Sequence, residues 1–134
     1  IVSMVRTIKI TSSIHNINEI EFFLNSIFRE SNFSRKIYCK IYLAVIESVT
    51  NAITHGNQLN KDKFVTISFE EKEAFIIVSI DDEGDGFNWN IIPNPLEALN
   101  IKKETGRGIF IMKEYSDELH FNKRGNSVQL KFNK

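Results

Sequence analysis

Two runs of strand-forming residues, Phe64 to Glu70 and Ala74 to Asp81, are separated only by Glu71-Lys72-Glu73. A parallel crossover needs a dozen residues or more, so a link this short predicts an antiparallel hairpin. The chain ends on a second such pair, Glu118 to Asn122 and Ser127 to Phe132, joined by a turn at Lys123-Arg124-Gly125-Asn126. Strands grouped in hairpins exclude an all-parallel sheet wrapped on both faces.

The remaining segments supply the second layer. Val5 to Ile10 alternates as a short strand. From about Asn16 to Glu30, Ile17, Ile20, Leu24, Ile27 and Phe28 form the stripe of an amphipathic helix, with Ser13 or Asn16 suited to cap it. A second helix is expected from about Ser34 to His55, stopped by Gly56 and Asn57. A third is expected from near Gly106 to Tyr115 or Ser116. Between them, Phe87 to Thr105 shows no period and holds Trp89, Pro93 and Pro95. So long an irregular stretch in a small domain is commonly functional, and a lid is expected there. The order β-α-α-β-β-loop-α-β-β predicts an α+β two-layer sandwich. Its sheet is mixed and mainly antiparallel, with helices on one face, in a single domain over residues 1–134.

Composition narrows the class. The 134 residues are 42% hydrophobic and 25% charged, with a formal net charge of zero. No basic footprint suggests direct nucleic-acid binding. A single cysteine, Cys39, allows no internal disulfide and no cysteine-based zinc site; a partly buried structural thiol is expected. No apolar run nears the ~20 residues of a membrane helix, and the start lacks a signal-peptide pattern. A cytoplasmic protein without a membrane partner is the expectation.

Three segments carry chemistry. On the second helix, Glu47, Asn51 and His55 recur every four residues as a polar ridge beside the apolar Ile41, Val45, Val49 and Ala52. An amide oxygen there suits a hard cation, and a carboxylate one turn earlier suits a proton acceptor. In the hairpin, strand parity puts Asp82 on the row of Ile76, Val78 and Ile80. A carboxylate closing a core-facing row needs a donor, and a purine amino group is one. Gly84 and Gly86 follow, leaving room for close approach. Gly106-Arg107-Gly108 stands where loop becomes helix, a setting that binds anions. Each segment alone is equally satisfied by a helix flank, a polar turn or a glycine-bearing helix start. The phosphate loop of Gly-x4-Gly-Lys-Ser/Thr type and the strand-linked Gly-x-Gly-x-x-Gly pattern are both absent.

In order, Glu47-x-x-x-Asn51-Ala52-x-x-His55-Gly56, Asp82-x-Gly84-x-Gly86 and Gly106-Arg107-Gly108-Ile109 resemble the GHKL ATPase superfamily, whose members share the Bergerat ATP-binding fold. More narrowly, ESVTNAITHGN and TGRGIFIM are similar to the anti-sigma-factor serine kinases of bacteria. The likeness runs from about Val5 to Phe132. It implies ATP and Mg²⁺ as cofactors, with Asn51 as the Mg²⁺ ligand and Glu47 as general base or its orienting group. Asp82 would accept from the adenine amino group, and Gly84 and Gly86 would shape the adenine side. Thr105, Gly106, Arg107, Gly108, Ile109 and Phe110 would form the segment near the phosphates. Ser127 stands where relatives often have a threonine that reaches adenine through water; it keeps the hydroxyl and loses the methyl. His55 matches the motif as a helix-end structural residue.

The resemblance further implies a homodimer, with the first strand and helix as its candidate interface. This dimer would hold a sigma factor away from RNA polymerase. It would also phosphorylate a serine on an anti-sigma antagonist, and so regulate transcription by partner switching. A regulatory module that binds ATP without transferring phosphate is the alternative. An intact Glu47 favours the kinase.

Overall fold

The computed structural model describes residues 4–86 and 104–134. Strand β1 (Met4–Thr11) leads through a 3₁₀ turn (Ile14–Asn16) into helix α1 (Ile17–Glu30). Helix α2 (Arg35–Asn51) passes into a π-helical turn (Ala52–Gly56), followed by β2 (Phe64–Glu71) and β3 (Phe75–Asp81). Helix α3 (Glu104–Tyr115), β4 (Glu118–Phe121) and β5 (Ser127–Asn133) complete the described chain.

The five strands form one sheet in the order β1-β2-β3-β5-β4. Each strand pairing is antiparallel, so the mixed character expected of the sheet is absent among the described residues. Register aligns apolar rows across the sheet, with Ile67 opposite Ile80 and Phe69 opposite Val78. Ile76 faces Phe132, Val78 faces Leu130, and Ile80 faces Val128. Those side chains are buried beneath Ile20, Leu24 and Ile27 of α1, Ile41, Val45 and Val49 of α2, and Ile109 and Met112 of α3. The helices thus cover one face, and the two-layer α+β sandwich is the observed architecture. The other face is only partly exposed along β3, where Lys131 Nζ of the neighbouring β5 lies 4.4 Å from the Phe75 ring centroid.

Local chemistry accounts for most boundaries. Ser34 caps α2, its hydroxyl accepting from the Ile37 N–H at 3.2 Å. Neither Ser13 nor Asn16 caps α1 with its side chain. Asn16 instead donates to the Thr11 carbonyl at 2.9 Å and to Thr11 Oγ1 at 2.7 Å, tying the helix start to the end of β1. Two expectations need correction, and a third falls almost wholly outside the described residues. The second helix does not stay α-helical to His55 but widens after Asn51. Cys39 is exposed on α2 rather than partly buried. The lid expected over 87–105 lies outside the described residues as far as 103, and its last two positions already belong to α3.

Candidate functional site

The widened turn at the end of α2 organises the site. Its closing bond runs from the Asn57 N–H to the Ala52 carbonyl at 2.8 Å. Single π turns within helices recur at functional sites, because the extra residue re-aims the side chains around it. Here the turn leaves Asn51 on the last α-helical position and brings His55 and Gly56 toward the end of β3. The chain then reverses through Gln58 and Leu59, both in the left-handed region (φ 53° and 59°).

Asp82 follows β3 directly, its N–H donating to the Asn126 carbonyl at 2.9 Å. Its carboxylate Oδ1 accepts the Gly84 N–H at 2.8 Å. Burial pushes the Asp82 carboxyl above the ordinary carboxylate value. The Gly84 hydrogen bond opposes that shift, the neighbouring Asp81 charge adds to it, and Lys63 opposes it. A half-buried acid whose charge is this poorly compensated is a ready acceptor for a ligand donor. Across the strand pair, Ser127 Oγ donates to Asp81 Oδ1, which holds the hydroxyl at the mouth of the site. The β4–β5 turn is built on Asn122, whose Oδ1 accepts from the N–H groups of Gly125 (2.7 Å) and Asn126 (3.0 Å).

Helix α3 closes the third side. It begins at Glu104, two residues before the expected start, so the four N-terminal amides that lack a partner within the helix span 104–107 and Gly108 lies in the second turn. Gly108 faces Asn51: a Cβ placed there would lie 2.7 Å from Asn51 Nδ2. That amide nitrogen is buried and has no hydrogen-bond partner among the described residues. Gly108→Ala is therefore expected to displace a flexible side chain rather than backbone. The expected cost is about 1 kcal/mol or less in stability, with the Asn51 amide signals moving in an NMR spectrum. Unmoved Asn51 signals would contradict this packing.

These three walls enclose a cavity of about 220 Å³. Asn51, Asp82, Gly86, Ile109 and Ser127 of the expected residues line it, and so does His55. Its base is apolar, from Ala52, Ile80, Met112 and Val128, with the polar groups converging at the rim. That is the usual make-up of a small-molecule site. Gly84 is buried beside the cavity but off its lining, and Gly108 touches it through Asn51. Glu47, partly buried one turn before Asn51, is also off the lining. Phe110 is 36% exposed and does not line it, in contrast to the adjacent Ile109. Thr105, Gly106 and Arg107 lie in the first turn of α3.

Sequence reasoning did not anticipate Met112, Phe121, Gly125 or Asn126 as lining residues, nor the part played by Asn57. Met112 shares the face of Ile109 at a spacing of three, a signal that was available. Phe121 and Asn126 reach the cavity because the β4–β5 hairpin lies beside β3, an order across the sheet that no local pattern reveals.

Over 82 residues the chain is 39% identical to the anti-sigma F factor of Bacillus cytotoxicus and to that of Bacillus cereus strain G9842. The anti-sigma F factor of Bacillus thuringiensis strain Al Hakam matches equally well. The aligned stretch takes in 60% of this chain and 56% of each relative, so the chain spans little more than half their length. A family model described as the histidine kinase-like ATPase domain matches residues 10–132, from the end of β1 to near the end of β5. The chain thus belongs to the histidine kinase-like ATPase family, as its three ordered motifs anticipated.

Proposed function

We propose that the cavity binds ATP and that the protein is an ATP-dependent anti-sigma factor with protein-serine kinase activity. The observation that carries this reading is the half-buried Asp82 carboxylate at the rim of an apolar cavity. An adenine ring fits the apolar base, and its exocyclic amino group offers the donor that the carboxylate lacks. Likeness to anti-sigma F factors supports a sigma factor as a protein partner, and an anti-sigma antagonist is the second partner of the proposal.

Mg²⁺ fits the residues present. Asn51 lines the cavity with a neutral amide whose oxygen is of the ligand type a hard cation takes. Its Nδ2, without a partner among the described residues, is a donor that would face an anionic oxygen instead. No group of three or more His, Cys, Asp or Glu able to hold a metal occurs among the described residues. Mg²⁺ generally keeps several waters and takes few protein ligands beside substrate phosphates, so Asn51 would be the residue that holds it here. When bound, the ion would neutralise phosphate charge. In the proposed transfer, a serine Oγ of the antagonist forms a bond to the γ-phosphorus as the bond to the ADP oxygen breaks, and Glu47 takes the serine proton. The first turn of α3, with Gly106 and Arg107, is the proposed phosphate side.

Dimerisation through β1 and α1 is part of the proposal. β1 is an edge strand, and Met4, Val5 and Phe22 expose 52%, 59% and 73% of their surface. Among the described residues no helix is long and apolar enough to cross a membrane. A second reading, an ATP-controlled switch without transfer, is favoured by the position of Glu47 off the cavity lining. Incubation with labelled ATP, Mg²⁺ and a candidate antagonist separates the two. Serine phosphorylation that falls about a hundredfold or more in Glu47→Gln, with ATP affinity kept within about twofold, supports the kinase. Tight ATP binding with no phosphorylation by either protein supports the switch.

A further inference from the structure

Asn57 is 1% exposed, and its side chain joins four separate segments. Its Nδ2 donates to Ser12 Oγ at 2.8 Å, just past β1, and to the Phe64 carbonyl at 2.9 Å, where β2 begins. Its Oδ1 accepts the Glu83 N–H at 2.8 Å, in the loop after β3. Its own N–H closes the π turn. Ser12 extends the network, its hydroxyl donating to the Lys63 carbonyl at 2.8 Å. Glu83 returns a bond from the other side, its Oε1 accepting the Phe64 N–H. All the hydrogen-bonding atoms of a buried amide are therefore used, which fixes its orientation.

The Glu83 N–H belongs to the peptide that begins at the Asp82 carbonyl. Holding that peptide sets the backbone from which the Asp82 carboxylate projects. The same carboxylate rests against the Gly56 backbone, next to Asn57 in the chain. Asn57 thus controls Asp82 from two directions, through the Glu83 peptide and through the turn that places Gly56. We infer that Asn57 is a positioning residue that fixes the Asp82 carboxylate for recognition of the ligand's amino group, and so contributes to purine selectivity. The inference rests on the reading of the cavity as a nucleotide site. A carboxylate in place accepts from a 6-amino group and repels a 6-oxo oxygen. A carboxylate free to swing loses that preference, because displacements near 1 Å cost orders of magnitude at a preorganised site.

The test compares Asn57→Leu, Asn57→Ser and Ser12→Ala. Ser12→Ala removes one partner of the amide and leaves the Glu83 bond intact, so it serves as the control for structural loss. ATP and GTP affinities are measured by calorimetry. The Asp82 carboxyl is titrated by ¹³C NMR in the nucleotide-free proteins, with Asp81 and Lys63 as its charged neighbours. The Asn57 variants should lose about tenfold or more in ATP affinity, narrow the ATP-to-GTP ratio and shift the Asp82 titration. Ser12→Ala should keep all three near wild type even where it lowers the melting temperature. A folded Asn57 variant with wild-type selectivity and titration overturns the inference. So does unfolding of both Asn57 variants, which makes the residue purely structural. A wild-type protein that binds neither nucleotide overturns the cavity reading, while the titration still decides whether Asn57 positions Asp82.

Discussion

Replacing Asp82 with asparagine is expected to weaken ATP binding by about a hundredfold while raising the melting temperature of the nucleotide-free protein at neutral pH. The affinity loss follows from the one hydrogen bond already committed. Asp82 Oδ1 accepts from the Gly84 N–H, so in the variant the single amide oxygen is drawn to that donor. The other atom becomes an NH₂ that faces the amino group it should accept. The stability gain follows from burial, which holds the carboxyl above its ordinary value. A group whose pKa is raised by folding contributes its stability fully below the unfolded value and loses it as pH rises through the folded one. Toward neutral pH the wild type carries a cost of buried charge that the asparagine variant does not. The gain should therefore shrink as pH falls and vanish below about pH 4. Calorimetry with ATP and thermal scans at both ends of that range decide it. Unchanged ATP affinity, or a variant less stable at neutral pH, would remove Asp82 from the role assigned to it.

How much of this was readable in advance depends on the range of the forces concerned. Periods of 3.6 and 2 identify the buried rows, because Ile41, Val45 and Val49 and the alternation Ile76, Val78, Ile80 are each decided by neighbours along the chain. The same parity placed Asp82 on the inner row. The π turn was not readable, since Ala-Ile-Thr-His-Gly is as compatible with a continuing α-helix. Asn57, whose N–H closes the turn, is held by side-chain bonds to Phe64 and, from far off in sequence, to Ser12. Asn57 therefore looked like a helix stop and is instead the junction of four segments. Cys39 shows the converse failure: its Tyr38 neighbour is engaged with Phe28, ring centroids 4.4 Å apart, while the thiol itself faces solvent. A one-residue difference on a helix turns the side chain by about 100°.

Gly84→Ala is the variant expected to do most damage to the fold and site together. A Cβ at Gly84 would lie 2.0 Å from the Gly56 carbonyl oxygen and 2.6 Å from its carbon. Both atoms are main chain, and the turn that carries them is held by Asn57 on one side and anchored in the core by Ala52 and Ile53 on the other. Neither can rotate away as a side chain would, so the loop after β3 and the end of α2 must separate. That separation breaks the Gly84 bond to Asp82 and strains the Glu83 bond to Asn57, the two contacts that set the carboxylate. A loss of about 3 kcal/mol is expected, a large fraction of the 5–15 kcal/mol that holds a typical domain together. It should read as a fall of about 10 °C in melting temperature, with ATP binding lost at concentrations that saturate the wild type. Gly108→Ala provides the contrast, because its added methyl meets the end of Asn51 rather than main chain. Urea denaturation of the two variants compares them directly. Equal midpoints would mean that the loop carrying Asp82 yields as easily as a side chain, and that the close approach of these two segments is not what builds the cavity.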